Sequence, residues 1–124
     1  MKAGCESLLR KSNENFGLAL ELKERGMLNA AANRFYYSVF QAVKAYAVAK
    51  DKMKMGDDKG VHAQASSVVR ETERQYHRTI REACDMRVKA DYLEEDISTS
   101  ELDAHFVSEL QSMRDRFESL AKSA

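Results

Sequence analysis

The chain has 124 residues, five glycines and no proline, with 44% hydrophobic and 32% charged side chains. That length can bury a core without disulfides or metals, and the scarcity of helix breakers favours long helices over strands and tight turns. Twenty basic and twenty acidic residues cancel, which excludes a net basic field that grips nucleic acid non-specifically and leaves room only for a local basic patch.

Two cysteines, Cys5 and Cys84, lie far apart in no metal-binding or redox spacing, and reduced thiols in a cytoplasmic protein account for them. The first residues, "MKAGCESLLRKSNENF", turn polar too early for a signal peptide. No apolar run approaches the roughly 20 residues of a membrane span. The expectation is a cytoplasmic protein without a membrane partner, folded as one helical domain over residues 1–124.

In chain order, Glu6 to Arg25 carries Leu9, Phe16, Ala19, Leu20 and Leu22 as an imperfect apolar stripe, closed by Gly26 as a natural terminator. Asn29–Ala49, "NAAANRFYYSVFQAVKAYAVA", is apolar on nearly every face, the pattern of a helix buried among others. Arg34 and Lys44 interrupt it. Residues 50–60, "KDKMKMGDDKG", form the one obvious loop. A third helix begins near Val61 with Ala65, Val68 and Val69, and a fourth runs from Tyr76 to about Leu93 with Ile80, Ala83, Cys84, Arg87 and Ala90/Asp91 on one side. Ser98 and Glu101 have capping-box spacing for the start of a last helix. Its apolar positions are Ala104, Val107, Leu110, Met113, Phe117 and Leu120, a coiled-coil-like face. The fold class is all-α, an up-and-down bundle of four to five helices.

Little of this carries conventional chemistry. The histidines, His62, His77 and His105, form no H-x-x-x-H pair, there is no C-x-x-C, and "GDDKG" lacks the spacing and preceding strand of a phosphate loop. No metal and no cofactor are expected. What stands out are polar groups on otherwise buried faces. Arg34, beside Asn33, Tyr36 and Tyr37, needs an anion or several carbonyl acceptors, because an unpaired buried charge is costly. Arg87 and Asp91 are spaced i, i+4. They fit an exposed helix pair, a structural contact of Asp91 with Arg34, or a cleft in which arginine forks meet phosphate and tyrosines stack on bases.

In sequence order, "NAAANRFYYSVFQAVKAYAV", "KGVHAQ" and "DMRVKADYLEEDISTSELDAHFVSELQSM" resemble the small stand-alone HEPN-domain proteins of prokaryotes. The shared patterns are A-x-x-R-x-Y-Y-x-x-F-H, K-G-x-H and R-x-x-A-D-Y. The resemblance implies an often dimeric helical bundle, frequently paired with a minimal nucleotidyltransferase in a toxin–antitoxin-type system. It also implies, for many members, a metal-independent ribonuclease using R-x(4–6)-H. Arg87 matches the motif arginine, but Tyr92 stands where R-x(4)-H places histidine, and Gln41 replaces the histidine that commonly ends the first pattern. Tyrosine, with a pKa near 10, is a poor general base at neutrality.

The expected function is therefore a nucleotide- or RNA-binding and protein-interaction module, a homodimer, with Arg34, Tyr37, Arg87, Asp91 and Tyr92 as ligand-binding residues. The alternative is a ribonuclease using Arg87 with Tyr92 or His62.

Overall fold

A helix that is apolar all round must be enclosed on every side, and the second helix of this chain is enclosed in that way. The computed structural model describes residues 2–56, 59–92 and 95–124. These fold into helices α1 (Cys5–Glu24), α2 (Leu28–Ala49), α3 (Val61–Thr72), α4 (His77–Tyr92) and α5 (Ala104–Lys122), with a 3-10 turn at Arg74–Tyr76 leading into α4. No strand occurs among the described residues, and none of the helices is long and apolar enough to cross a membrane. Fourteen of the 22 residues of α2 are buried, and α1, α3, α4 and α5 all pack on it.

The α1–α2 hairpin is set by its turn and by two seryl bonds. Gly26, at φ 75°, takes the left-handed conformation. The Met27 N–H reaches Leu22 O at 2.9 Å and the Gly26 N–H reaches Lys23 O at 3.0 Å, the paired bonds that satisfy the last carbonyls of a helix. Across the interface Ser12 Oγ donates to Ser38 O and Ser38 Oγ to Ser12 O, both at 2.7 Å. Phe16 meets Phe35 edge-on at 5.2 Å, and Tyr46 meets Phe117 of α5 at 5.7 Å.

The loop after α2 is held from the start of the chain. Lys2 pairs with Asp51, and Met55 packs on Gly4 so closely that a Cβ there would strike its terminal methyl. Gly60, at φ 84°, then opens α3 and places His62 in the first turn. The break between α3 and α4 comes at Glu73, which leaves the helical conformation at φ −139° and ψ 73°, and whose carboxylate accepts from Arg116 Nε of α5 at 2.6 Å.

Several sequence expectations need correction. The stripe on α1 consists of Cys5, Leu9, Ser12, Phe16 and Ala19, whereas Leu20 is exposed. Small and polar residues can line the α1–α2 seam because the two serines satisfy each other's carbonyls. Leu93, the expected end of α4, lies outside the described residues, as do Asp57 and Asp58 of the 50–60 loop. Ser98 and Glu101 do form the reciprocal bonds of a capping box, Ser98 N–H to Glu101 Oε1 at 3.0 Å and Glu101 N–H to Ser98 Oγ at 3.1 Å. They close a separate turn, however, and α5 starts later. Its cap is Asp103, whose Oδ1 accepts the Phe106 N–H at 2.8 Å. Leu102, buried at 1% exposure, plugs the core between the two. The buried face of α5 is accordingly Phe106, Leu110, Met113, Arg114, Phe117 and Ala121, while Ala104 is exposed and Val107 and Leu120 are half-buried.

The turn before α5 also ties the bundle together. Lys89 of α4 donates to Glu101 at 3.0 and 3.2 Å. Ser98 bonding, followed by Lys89, holds the Glu101 carboxyl below the usual carboxylate range. Asn29 accepts the Ile97 N–H at 2.9 Å and donates to Asp96 at 3.0 Å, pinning the α4–α5 connection to the start of α2. Because Asp103 alone caps α5, Asp103→Ala is expected to lower unfolding free energy by about 1 kcal/mol in urea titrations. Ser98→Ala should leave the α5 cap, and hence its amide-exchange protection, unchanged.

Candidate functional site

The side of α2 that meets α3 and α4 is where its polar and aromatic residues collect. Asn33, Tyr37 and Gln41 follow one another at four-residue steps, and Tyr36 and Phe40 form the neighbouring row. From α4, Cys84, Arg87 and Asp91 follow at three- and four-residue steps, so the two helices present these rows to each other. His62 enters from the first turn of α3.

At the centre lies Arg87. Its side chain is 11% exposed, and its guanidinium carbon sits 5.2 Å from the Tyr36 ring centre and 5.7 Å from that of Tyr37. Arg34 approaches the Tyr37 ring as well, at 5.5 Å, so two guanidinium groups share one phenol ring. Such contacts contribute about 2 kcal/mol when desolvated. The carboxylate here is Asp91, 3.9 Å from Arg87 Nη1. Arg87 Nε is buried and makes no hydrogen bond among the described residues.

Arg34 and Asp91 do not touch directly, as a structural pair would. Asn33 stands between them. Its Oδ1 accepts from Arg34 Nε at 2.8 Å and also from Arg34 Nη2, while its Nδ2 donates to Asp91 Oδ2 at 3.0 Å. Arg34 Nη1 donates to Asn15 Oδ1 of α1 at 3.2 Å, and Asn15 in turn donates to Gln41 Oε1 at 2.8 Å. Gln41 thus ends a chain of amides that orients Arg34. This spreads one positive charge over neutral dipoles and leaves it without a full counter-charge.

His62 is part of the same cluster. Its Nδ1 lies 2.5 Å from Tyr36 Oη, and its ring packs on those of Tyr36, Tyr37 and Phe40 at 5.4, 6.2 and 5.0 Å. Burial, with Cys84 alongside, pushes the Tyr36 phenol far above its ordinary pKa, so its proton is retained at any physiological pH. Burial alone would lower the Arg87 guanidinium, but Tyr37, Cys84 and Tyr36 more than offset it, and the group is held above its usual value. Arg87 is a permanent cation. A second positive region lies nearby. Burial first, and then Arg81, Arg70 and Arg74, lower the His77 pKa.

Of the residues expected from sequence to bind ligand, the structure brings together Arg34, Tyr37, Arg87 and Asp91. Tyr92, the last residue of α4, is 73% exposed and is not packed into this cluster. Asn15, Asn33 and Tyr36 complete it. Asn15 had a legible signal, since it lies one turn from Ser12 on the inner side of α1. Among the described residues, no group of three or more His, Cys, Asp or Glu side chains is placed to hold a metal ion.

Among the described residues, a five-helix bundle thus lays two guanidinium groups on one tyrosine ring at a helix seam. Compared with known protein families, residues 5–115 match the HEPN domain. The chain belongs to the HEPN family, a group of nucleotide- and RNA-related modules. No curated protein matches it.

Because Asn33 mediates between Arg34 and Asp91, double-mutant cycles in chemical denaturation should separate the two contacts. The Asn33–Asp91 pair is expected to couple by about 1 kcal/mol, and the Arg34–Asp91 pair by less than about 0.5 kcal/mol.

Proposed function

We propose that the protein is a nucleotide- or RNA-binding and protein-interaction module whose ligand lies against Arg34, Tyr37, Arg87 and Asp91, the two arginines receiving its phosphate. The observation that carries this reading is the pair of guanidinium groups on Tyr37, at 5.5 and 5.7 Å, with Asp91 as the neighbouring carboxylate at 3.9 Å. Two cations against one partly exposed anion leave a local excess of positive charge in a chain of zero net charge. An arriving phosphate supplies the missing negative charge and accepts from the planar fork of each arginine. In this reading Tyr92, exposed at the end of α4, meets the remainder of a ligand rather than its phosphate. Family membership supports a homodimer and pairing with a minimal nucleotidyltransferase in a toxin–antitoxin-type system.

Titration with nucleotides and short RNAs, followed by amide shifts, tests the reading. Shifts should centre on Arg34 and Arg87, and Arg87→Ala should weaken binding at least about tenfold, the loss of one or more charge-assisted hydrogen bonds. Absence of shifts at millimolar ligand would exclude it.

The 2.5 Å contact of His62 with Tyr36 favours a second reading, a metal-independent ribonuclease. In it Arg87 stabilises the charge developing on phosphorus, and His62, from a different helix, takes the proton of the attacking 2′-hydroxyl in place of the missing motif histidine. Incubation with RNA decides it. Arg87→Ala and His62→Ala should each reduce cleavage by about a hundredfold or more, and Tyr92→Phe should not. Cleavage that survives both of the first two substitutions belongs to another protein or another site.

A further inference from the structure

Behind Tyr36, on the side away from α1, α3 and α4 part slightly. The gap is a pocket of about 190 Å³ lined by Tyr36, His62, Ser66, Ile80, Arg81, Cys84 and Asp85, among others. That volume is well under the roughly 300–1,000 Å³ of pockets that enclose drug-sized molecules, so its occupant is a single ring system. The pocket joins two kinds of surface. Tyr36, at 1% exposure, closes the floor, half-buried His62 offers an aromatic ring, Ile80 and Cys84 add apolar contact, and exposed Arg81 and Asp85 stand at the rim.

The rim pair is unusual in its pairing. Arg81 and Asp85 are four residues apart on α4, the spacing at which helix ion pairs ordinarily form. Yet among the described residues neither makes an ion pair or a side-chain hydrogen bond. Three residues earlier on the same helix, Arg78 and Glu82 have the same spacing and do pair, at 2.8 Å. A guanidinium fork and a carboxylate, side by side and both unspent, therefore edge a slot that has the His62 ring in one wall.

We propose that this pocket is a nucleobase subsite that selects guanine. A flat heteroaromatic ring stacks on the half-buried His62 ring, above a floor closed by Tyr36. Guanine has adjacent acceptors, O6 and N7, and adjacent donors, N1–H and the N2 amine. The first pair accepts from the Arg81 fork, and the second donates to the Asp85 carboxylate. Adenine places a donor amine where O6 stands and has no second donor beside it, and cytosine and uracil leave at least one of the four rim bonds unmade.

The pocket also lies at the right distance from the arginine site. Cys84 lines it, and Arg87 follows three residues later on the same helix, about one turn or 5 Å along the axis, with its guanidinium carbon 5.2 Å from the Tyr36 ring centre. A guanosine nucleotide with its base in the pocket reaches Arg87 with its phosphate, which makes this inference rest on the arginine reading for the phosphate half alone.

Guanosine, guanosine 5′-monophosphate, inosine 5′-monophosphate, adenosine 5′-monophosphate and inorganic phosphate, each titrated into the full chain and followed by amide shifts and calorimetry, test the assignment. Guanosine should shift the amides of Ala63, Ser66 and Cys84. The guanine nucleotide should bind about tenfold or more tightly than its inosine counterpart, which lacks the N2 amine. Asp85→Asn, an exposed and unpaired position whose substitution leaves the fold intact, should abolish that difference. Equal affinity for the two nucleotides, stronger binding of the adenine nucleotide, or unmoved pocket amides would overturn the proposal. If inorganic phosphate shifts Arg34 and Arg87 while guanosine leaves the pocket unmoved, the pocket assignment fails and the arginine reading stands. If guanosine occupies the pocket but phosphate shifts nothing and Arg87→Ala is neutral, the arginine reading fails and the pocket stands.

Discussion

Helix α2 is buried along nearly its whole length, and four other helices are needed to cover it. Each of those helices donates one face, and each must cross α2 without leaving an unsatisfied backbone or a void. Where the seam is filled by small and aliphatic residues, as with Ala31, Ala42, Ala45 and Val43, the helices close up and nothing else can enter. Where α2 turns Asn33, Tyr36 and Tyr37 towards α3 and α4, the side chains are too large and too polar for that kind of closure. The seam stays open enough for a cation, a histidine and a pocket. The site is thus what remains when the rest of α2 has been packed.

Two arginines largely withdrawn from solvent show how the surroundings decide what such a residue is for. Arg114 of α5 is 5% exposed, and its Nε, like that of Arg87, has no hydrogen-bond partner among the described residues. Its Nη2, however, donates to Asp115 at 2.7 Å and to Glu118 at 3.0 Å, and its Nη1 reaches Ser12 Oγ at 3.5 Å. Two carboxylates neutralise it, and it serves as a structural link from α5 to α1. Arg87 has one carboxylate at a longer distance and rests mostly on aromatic faces, which attract a cation without cancelling its charge. A largely desolvated group that stays charged and underpaired is disfavoured in an ordinary core, and in this Arg87 differs from Arg114.

The helical class, the burial of α2 and the covered faces of α3 and α4 were legible in the sequence, because apolar periodicity is a direct record of what each helix faces. The conspicuous residues were legible too, since Arg34 breaks an apolar run and Arg87 lies on the inner side of α4. What could not be read was how they are joined. Asn33 connects Arg34 to Asp91 through one amide, and nothing in the order of residues distinguishes that bridge from direct contact. The pairing of Ser98 with Glu101 was read correctly as chemistry and misplaced as anatomy, because the cap signal is local while the start of α5 is fixed by the burial of Leu102. Tyr92 fits the motif spacing, but the end of α4 turns it outwards, and spacing along a chain carries no information about which way a helix end is rotated. The pocket was invisible for the same reason. Its walls come from positions 36, 62–66 and 80–85, and only tertiary packing brings them together.

The clasp between the chain's first residues and the loop at 50–56 adds a mechanical side to this arrangement. Lys2 holds Asp51, and Met55 rests on Gly4, whose positive φ favours glycine. The first residues of the chain are thereby fastened to the segment that follows α2, so trimming them releases residues 51–55 as well as the start of α1.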